Sequence, residues 1–282
     1  MSGSVEYPGA VATSDMESAY STGDILSRIL GALTAAGKDP EHIGPDDLVT
    51  MEEFHTLGPM ATAALAQAAG IGPDDHVLDA GCGIGGPARH LARAYGCRVT
   101  GVDFTPEFVE VGNELTRRAG LADRVEIVHG DATALPFPAG SFDVVWTQHA
   151  AMNIADKAAL YHSLRRVVKP GGRLAFFDVV GGTTGPLHFP VPWADDPAWS
   201  FLEPAEMIRG RVEEAGFGVT LWEDLTDQAI PFFIAAAAAM AAPAGPLSLN
   251  VLVKNLPAKF ENLARNFQED RARVVRCVAV AG

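Results

Sequence analysis

Glycines and an aspartate in the stretch HVLDAGCGIGGPAR (76–89) are the residues whose types and spacing could bind a ligand. Gly81, Gly83 and Gly86 satisfy G-x-G-x-x-G, a pattern in which glycines let a ligand approach the backbone closely. Asp79 stands two positions before the first glycine. A carboxylate there would repel a pyrophosphate but would suit a cationic, amino-acid-like ligand. The stretch therefore predicts a cofactor site, with a nicotinamide dinucleotide still open.

Strand and helix patterns alternate regularly around this stretch. Short apolar runs bounded by turn residues predict strands at 76–80, 98–104, 125–129, 142–147, 173–180, 219–223 and 274–280. Apolar residues at helical spacing predict helices at 87–95, 105–119, 157–168 and 203–215. This alternation is typical of an α/β fold with a doubly wound parallel sheet. Ligands bind such sheets at the carboxyl ends of the strands, and the glycines lie at such an end.

A helical segment precedes the first strand. The apolar spacing predicts helices at 16–36 and 51–70, with a break at Gly58. These segments are too short to form a core alone. We therefore expect residues 1–70 to form a helical cap over the mouth of the α/β domain, which would comprise residues 71–282.

A second helical region lies between the last two predicted strands. The sequence predicts an alanine-rich helix at 227–240 and a helical stretch at 247–270 that Pro257 interrupts. Together they predict a lid insertion at about 227–270. The most apolar run, 230–242, is shorter than the roughly 20 residues that span a bilayer, so no membrane partner is expected.

The bulk composition restricts the class of protein. The chain carries 21 basic and 35 acidic residues, for a net charge of −14, which argues against nucleic acid as a partner. The N-terminal residues have no basic flank and no apolar core, so no signal peptide is predicted. Cys82, Cys97 and Cys277 have no metal-ligand spacing. Three unpaired cysteines favour reduced thiols in a cytoplasmic protein without a metal.

Four separated features resemble the class I S-adenosylmethionine (SAM) methyltransferases. They are LDAGCGIGG (78–86), Asp103 at the end of the second strand, GDA around Asp131, and VVKPGGRL (167–174), whose KPGG predicts a tight turn before the fifth strand. A nicotinamide-binding domain could share the first two features but has no reason to carry all four. The resemblance implies SAM as cofactor and a seven-stranded, mostly parallel sheet whose last strand is antiparallel.

The resemblance also assigns cofactor contacts. They fall on Asp79, Gly81, Cys82, Gly83, Gly85, Asp103, Phe104, Asp131, Ala132 and Gln148. Asp79 would pair with the ammonium group of SAM, and Asp103 would accept from both ribose hydroxyls. Phe104 would stack on adenine and Asp131 would accept from its amine. Cys82 is expected to fill the glycine turn as a small side chain, without acting as a nucleophile.

Methyl transfer is an in-line displacement, and much of its catalysis is positioning. A base is needed only if the acceptor arrives protonated. His149 follows the fourth strand at the ligand-binding edge and titrates near neutrality, which makes it the candidate catalytic base. The alternative is a histidine that only orients its loop or packs under the lid.

The candidate acceptor contacts lie outside the glycine turn. They are His55 in the cap, Met152 and Asn153 after the fourth strand, and Trp193 in the irregular stretch after the fifth. Ordinary packing explains the aromatic residues there about as well.

The phrase VVWTQHAAMNIADK (144–157) and the lid resemble ubiquinone/menaquinone-type and sarcosine/dimethylglycine-type enzymes. The sequence thus predicts methyl transfer to O, N or C of a small metabolite, including secondary metabolites. A nicotinamide-dependent oxidoreductase and a catalytically inactive SAM-binding protein remain the alternatives. A homo-oligomer stays open.

Overall fold

A seven-stranded sheet forms the centre of the protein in the computed structural model, which describes residues 23–52, 55–239 and 245–282. Its strands are β1 (His76–Ala80), β2 (Arg98–Asp103), β3 (Val125–His129), β4 (Phe142–Gln148), β5 (Val168–Gly181), β6 (Phe217–Asp224) and β7 (Ala272–Ala281). They lie in the order β3-β2-β1-β4-β5-β7-β6. β7 runs antiparallel to both neighbours, and the other pairs are parallel. The predicted seven-stranded, mostly parallel sheet is confirmed.

The direction of strand addition reverses between β1 and β4. β2 and β3 extend the sheet on one side of β1, and β4 and β5 extend it on the other. The connections that leave β1 and β4 therefore diverge, and open α/β sheets bind ligands at the carboxyl ends of two such strands.

Helices cover both faces of the sheet. In chain order within the described residues they are α1 (Ile25–Ala35), α2 (Val49–Glu52), α3 (Pro59–Ala69), α4 (Gly86–Tyr95), α5 (Pro106–Arg118), α6 (Lys157–Val167), α7 (Ala205–Glu214), α8 (Thr226–Ala239) and α9 (Leu256–Gln268). Val144 and Trp146 of β4 pack in the apolar layer that includes α3, α4, α8 and α9. Val145, between them, packs in the layer that includes α6 and α7. Such a two-sided strand is apolar at successive positions because both faces are buried.

The KPGG segment, predicted as a tight turn before the fifth strand, lies within that strand in the structure. β5 begins at Val168, which pairs with Phe142, and the register then shifts so that Arg173 pairs with Val144. Residues 169–172 therefore bulge within the strand. A Cβ on Gly172 would lie 2.8 Å from the Asp143 carbonyl oxygen, so the close approach of the two strands requires glycine there.

The lid also differs in detail from its prediction. The predicted helical stretch 247–270 is a short 3₁₀ turn (Leu249–Val251) followed by α9, and Pro257 lies in the first turn of α9 rather than interrupting it. Proline is tolerated there because its missing N–H has no intrahelical acceptor. Within the segments that the structure describes, no helix has both the length and the apolar character to span a membrane.

Within the described part of the cap, α1 and α3 pack on different parts of the α/β region. Ile29 and Leu33 of α1 pack with Val111 and Leu115 of α5, whereas α3 joins the apolar layer on the sheet. The predicted break at Gly58 is present, since α3 begins at the next residue. Of the predicted helices, residues 16–22, 53–54 and 240 lie outside the described residues.

Candidate active site

The turn between β1 and α4 places backbone where a ligand can reach it. Gly81 and Gly83 adopt φ of 78° and 55°, in the left-handed region that favours glycine. A Cβ on Gly81 would collide with the Ala150 side chain. A Cβ on Gly83 would have no atom within 4 Å, so the space above this residue is open. Gly81 therefore serves packing, and Gly83 leaves room for a ligand.

The Asp103 carboxylate closes one side of this turn. Oδ2 accepts from the Gly83 N–H at 2.8 Å, and Oδ1 accepts from the Thr105 N–H at 2.9 Å. Burial raises the pKa of Asp103, and the two N–H donors partly offset that effect. Each carboxylate oxygen can accept more than one hydrogen bond, so both can still receive a ligand hydroxyl.

Asp79 and Cys82 lie beneath the turn. Asp79, at the end of β1, is 1% exposed. The Cys82 thiol fills the space beside Gly101, where a Cβ would lie 2.7 Å from Sγ. Burial raises the pKa of Cys82 well above its usual value, so the thiol stays protonated. Its contacts are those of a packing residue.

Phe104 and Asp131 lie beyond Asp103, because β2 and β3 run side by side. Their last residues, Asp103 and His129, are paired, and the His129 ring centroid is 6.1 Å from that of Phe104. Asp131 is exposed and caps a 3₁₀ turn that begins at the buried Ala132. Its Oδ1 accepts from the Thr133 N–H and hydroxyl at 2.8 and 2.7 Å. The structure thus brings these predicted contacts to one edge.

His149 connects the end of β4 to the cap. It adopts φ of 51°. Its Nδ1–H donates to the Phe177 carbonyl at 3.0 Å. Its Nε2 accepts from the Thr56 N–H at 3.2 Å and from the Thr56 hydroxyl at 2.8 Å. Burial, reinforced by the nearby His55, lowers the pKa of His149 to about 3. The imidazole is therefore neutral, and its lone pair already accepts hydrogen bonds.

Thr62 of α3 contacts both Gln148 of β4 and His55 of the cap. The buried side chain of Gln148 lies 3.3 Å from Thr62 Oγ1. His55 Nε2 lies 2.9 Å from both the Gly58 carbonyl oxygen and Thr62 Oγ1, and its ring centroid is 6.0 Å from that of His149. These residues line the seam between the cap and the sheet. Sequence reasoning missed Thr56 and Thr62, because no motif marks them.

The other predicted acceptor contacts are engaged in packing. Met152 is buried in the apolar layer. Asn153 Nδ2 donates to the carbonyls of Trp193 and Trp199, both at 3.0 Å. The Trp193 ring is buried, and its Nε1–H donates to the Ser200 hydroxyl at 2.9 Å. In the structure these three predicted residues hold the long segment after β5 in place.

A buried ion pair that the sequence did not single out joins the cap to the glycine turn. Arg89, in α4, is 1% exposed and forms an ion pair with Glu52 of α2. Its Nη1 also donates to the Ile84 carbonyl at 2.8 Å and to Thr116 Oγ1 at 3.1 Å. A Cβ on Gly86 would lie 2.6 Å from the Glu52 carbonyl oxygen. Glu52 thus lies directly against the glycine turn, and Gly86 permits that approach.

Potential metal ligands do not gather in the described part of the chain, where no group of three or more His, Cys, Asp or Glu residues could hold a metal ion. Cys82, Cys97 and Cys277 are buried free thiols. Burial raises the pKa of Cys97 to about 11 and that of Cys277 to about 12. They offer no thiolate at neutral pH.

Comparisons with known proteins agree with this geometry. A family model described as "Methyltransferase domain" matches residues 78–176. Methyltransferase GfsG of Streptomyces halstedii is 31% identical over 214 residues, which is 74% of this chain and 77% of that protein. A sterol 24-C-methyltransferase of Eremothecium gossypii is 34% identical over 173 residues, 59% of this chain and 46% of that protein. The chain spans less than half the length of several curated relatives that it matches.

A solved structure shares the fold over the whole chain. Geranyl diphosphate C-methyltransferase from Streptomyces coelicolor A3(2) superposes with a TM-score of 0.71 at 20% identity, covering 98% of this chain and 100% of that one. At this level of identity the likeness concerns the fold.

Proposed function

The chain belongs to the class I SAM-dependent methyltransferases, and we propose that it transfers the methyl group of SAM to O, N or C of a small-molecule acceptor. The observation that carries this proposal is the Asp103 carboxylate, which is fixed beside the open backbone at Gly83. A carboxylate at the end of the second strand suits the two hydroxyls of a ribose.

The residues present fit SAM. Gly83 leaves the space that a ligand's tail and ribose need, and the buried Asp79 lies below it at the end of β1. We assign Asp79 to the ligand's ammonium group and Asp103 to its ribose. Adenine would lie along Phe104 and the turn that Asp131 caps. Gln148 and the backbone of the turn, including Gly85 and Cys82, would surround the methionine part.

SAM supplies an activated methyl group on a sulfonium whose departure needs no further activation. The protein therefore has to orient the acceptor and exclude water. We propose that two parts of the chain exclude water. One is the cap, residues 1–70, and the other is the lid at about 227–270, which belongs to the domain 71–282. We propose that the acceptor binds at the seam between the cap and the sheet, beside His55 and Thr56.

We assign His149 to positioning rather than to proton abstraction. Its Nε2 accepts hydrogen bonds from Thr56, and burial keeps its pKa near 3, far below the range of an effective base at neutral pH. Met152, Asn153 and Trp193 are proposed to act on the acceptor indirectly, by fixing the segment that forms its wall. The buried free thiols are compatible with the proposed cytoplasmic location.

Binding and labelling experiments test the function. We expect S-adenosylhomocysteine (SAH) to bind in calorimetry with a micromolar or lower Kd, and NAD not to bind. Incubation with SAM labelled in its methyl group and a small-molecule extract should place label in a small molecule. SAH binding without any transfer would favour the inactive SAM-binding protein, whereas NAD binding without SAH binding would favour the oxidoreductase.

His149→Asn is expected to raise the SAH dissociation rate by about tenfold or more, because it removes both hydrogen bonds that Thr56 donates to the imidazole, each worth about 1 kcal/mol. Thr56→Val removes only the hydroxyl bond and keeps the backbone N–H, so it should raise the rate by about fivefold. Asparagine tolerates the left-handed backbone at this position. Stopped-flow SAH displacement measures the rates, and the double variant should be little worse than either single variant. If His149→Asn lost turnover while Thr56→Val kept the turnover and SAH dissociation rate of the wild type, His149 would instead be assigned as the catalytic base.

A further inference from the structure

Residues 149–154, which we name the β4 loop, contact three parts of the proposed site. Ala150 packs so closely on Gly81 that a Cβ on that glycine would collide with it. His149 binds Thr56 of the cap. Met152 accepts a hydrogen bond from the Phe201 N–H at 2.8 Å, which attaches the segment after β5. The position of this loop therefore affects the cofactor turn, the cap and the acceptor wall together.

Asp178 holds the β4 loop by its N–H groups. It lies in β5, is 1% exposed, and its Oδ1 accepts from the N–H groups of Ala150 and Ala151 at 3.0 and 3.3 Å. Its Oδ2 is buried, and no described residue forms a hydrogen bond with it. A buried carboxylate with one oxygen unsatisfied lowers the stability of the fold. A function that depends on this carboxylate would explain why it is present.

Lys157 holds the same loop by its carbonyl groups. It begins α6, is 3% exposed, and its Nζ donates to Ala151 O at 2.6 Å, to Phe201 O at 2.7 Å and to Ile154 O. All three ammonium protons are thereby used. Ala151 is held from both sides, by Asp178 at its N–H and by Lys157 at its carbonyl.

We propose that Asp178 and Lys157 are positioning residues whose opposite buried charges fix the β4 loop against Gly81 and so set the affinity for the cofactor. This inference rests on the proposed function, because it takes the turn at Gly81 as the cofactor site. Two buried charges cost more free energy than an apolar pair of similar volume would, which favours a role in fixing one geometry over a role in stability.

The charges around the pair determine how it responds to pH. Lys157 and Tyr161 of α6 face Asp178, Cys277 of β7 lies beside Tyr161, and Glu203, ahead of α7, acts on both α6 residues. Burial raises the pKa of Asp178 to about 7, although the Ala150 and Ala151 N–H groups and Lys157 act to lower it. Burial lowers the pKa of Lys157 to about 8. Burial raises the pKa values of Tyr161 and Cys277, which stay protonated.

Asp178 therefore ionises between about pH 6 and 8, and an ionised carboxylate accepts stronger hydrogen bonds from the β4 loop. Both charges are present together mainly between about pH 7 and 8, because Asp178 is protonated below this interval and Lys157 loses its proton above it. SAH affinity of the wild type should therefore rise by up to about tenfold from about pH 6 to about pH 7.5 and fall again above about pH 8. Asp178→Asn should bind about tenfold more weakly at about pH 7.5 and show no rise. Lys157→Met should bind weakly throughout. Calorimetric titration with SAH at each pH measures these values.

The control is a second aspartate–lysine pair, which joins β4 to β5 and is partly exposed. Asp143 and Lys169 form an ion pair at 2.6 Å near the opposite ends of β4 and β5. Asp143→Asn and Lys169→Met should keep both the SAH affinity of the wild type and its pH dependence. Unchanged binding in these two variants would show that loss of an aspartate–lysine pair elsewhere on the sheet does not by itself lower SAH affinity.

Hydrogen exchange of the ligand-free protein gives a readout that does not depend on SAM. In Asp178→Asn the peptide that contains the β4 loop should exchange about tenfold faster, with peptides of β1 and β2 unchanged. Unchanged exchange, or SAH affinity equal to that of the wild type at every pH, would overturn the inference alone. Faster exchange in Asp178→Asn, together with a wild-type protein that fails to bind SAH, would instead overturn the proposed function.

Discussion

Asp103→Ala is expected to weaken SAH binding by about 100-fold or more. The change removes the carboxylate proposed for the ribose, and charge-assisted hydrogen bonds are worth about 1.5–3 kcal/mol each. It also removes the acceptor for the Gly83 and Thr105 N–H groups, so the glycine turn loses its attachment to β2. Two such losses correspond to a factor of about 100 in Kd. Calorimetry with SAH at pH 7.5 measures the change.

Asp123→Ala is the control for this variant. Asp123 is an exposed aspartate in the turn before β3, far along the chain from the glycine turn, and its removal should leave SAH affinity within a factor of about two. Circular dichroism of both variants would show whether the fold is retained. Binding by a folded Asp103→Ala protein at the wild-type affinity would exclude the proposed ribose contact and the cofactor assignment with it.

Arg89→Met should lower the free energy of unfolding by about 3–5 kcal/mol, because it leaves a buried carboxylate without its partner. The Glu52 side chain is only 8% exposed, so water cannot replace the guanidinium. The Ile84 carbonyl of the glycine turn and the Thr116 hydroxyl lose a donor as well. Urea denaturation measures the stability, and SAH calorimetry should show weaker binding because the turn is no longer held.

Two further variants separate charge burial from the loss of a long side chain. Glu52→Gln in the Arg89→Met background should recover part of the stability, because the buried charge is then gone. Arg93→Met, one turn later on α4 and exposed, should be close to the wild type. Equal stability of Arg89→Met and Arg93→Met would mean that the Glu52 ion pair contributes nothing, and that the cap is held by packing alone.

The proximity of the proposed cofactor residues could be predicted from the sequence because their signals are local. Gly81, Gly83 and Asp103 stand at the ends of β1 and β2, and parallel pairing of neighbouring strands brings such ends together whatever the rest of the chain does. The number of strands and the antiparallel β7 followed from the resemblance, whereas the strand order was not predicted. Even so, the KPGG segment was predicted as a turn and is a bulge, since pairing of Val168 with Phe142 cannot be seen in one strand's sequence.

The residues that join the parts of the site could not be predicted in this way. His149 was singled out, but its hydrogen bonds to Thr56 depend on where the cap lies, 93 positions earlier in the chain. Arg89 and Glu52 lie in different helices, and neither belongs to a motif. In the sequence Lys157 is an ordinary helix residue, and Asp178 is placed only in the neighbourhood of His149. That both are buried around the same loop depends on the fold.

The position of β7 between β5 and β6 has a consequence for the order in which the site is made. β1 to β4 are synthesised consecutively and pair with one another, so the cofactor half can assemble while later residues are still being added. β6 pairs with β7 alone, and α8 and α9 lie between these two strands in the chain. The lid therefore cannot be anchored at both ends until residues 272–281 leave the ribosome. During synthesis, the surface that would receive the methyl donor forms first, and the chamber that would shield the acceptor is completed last.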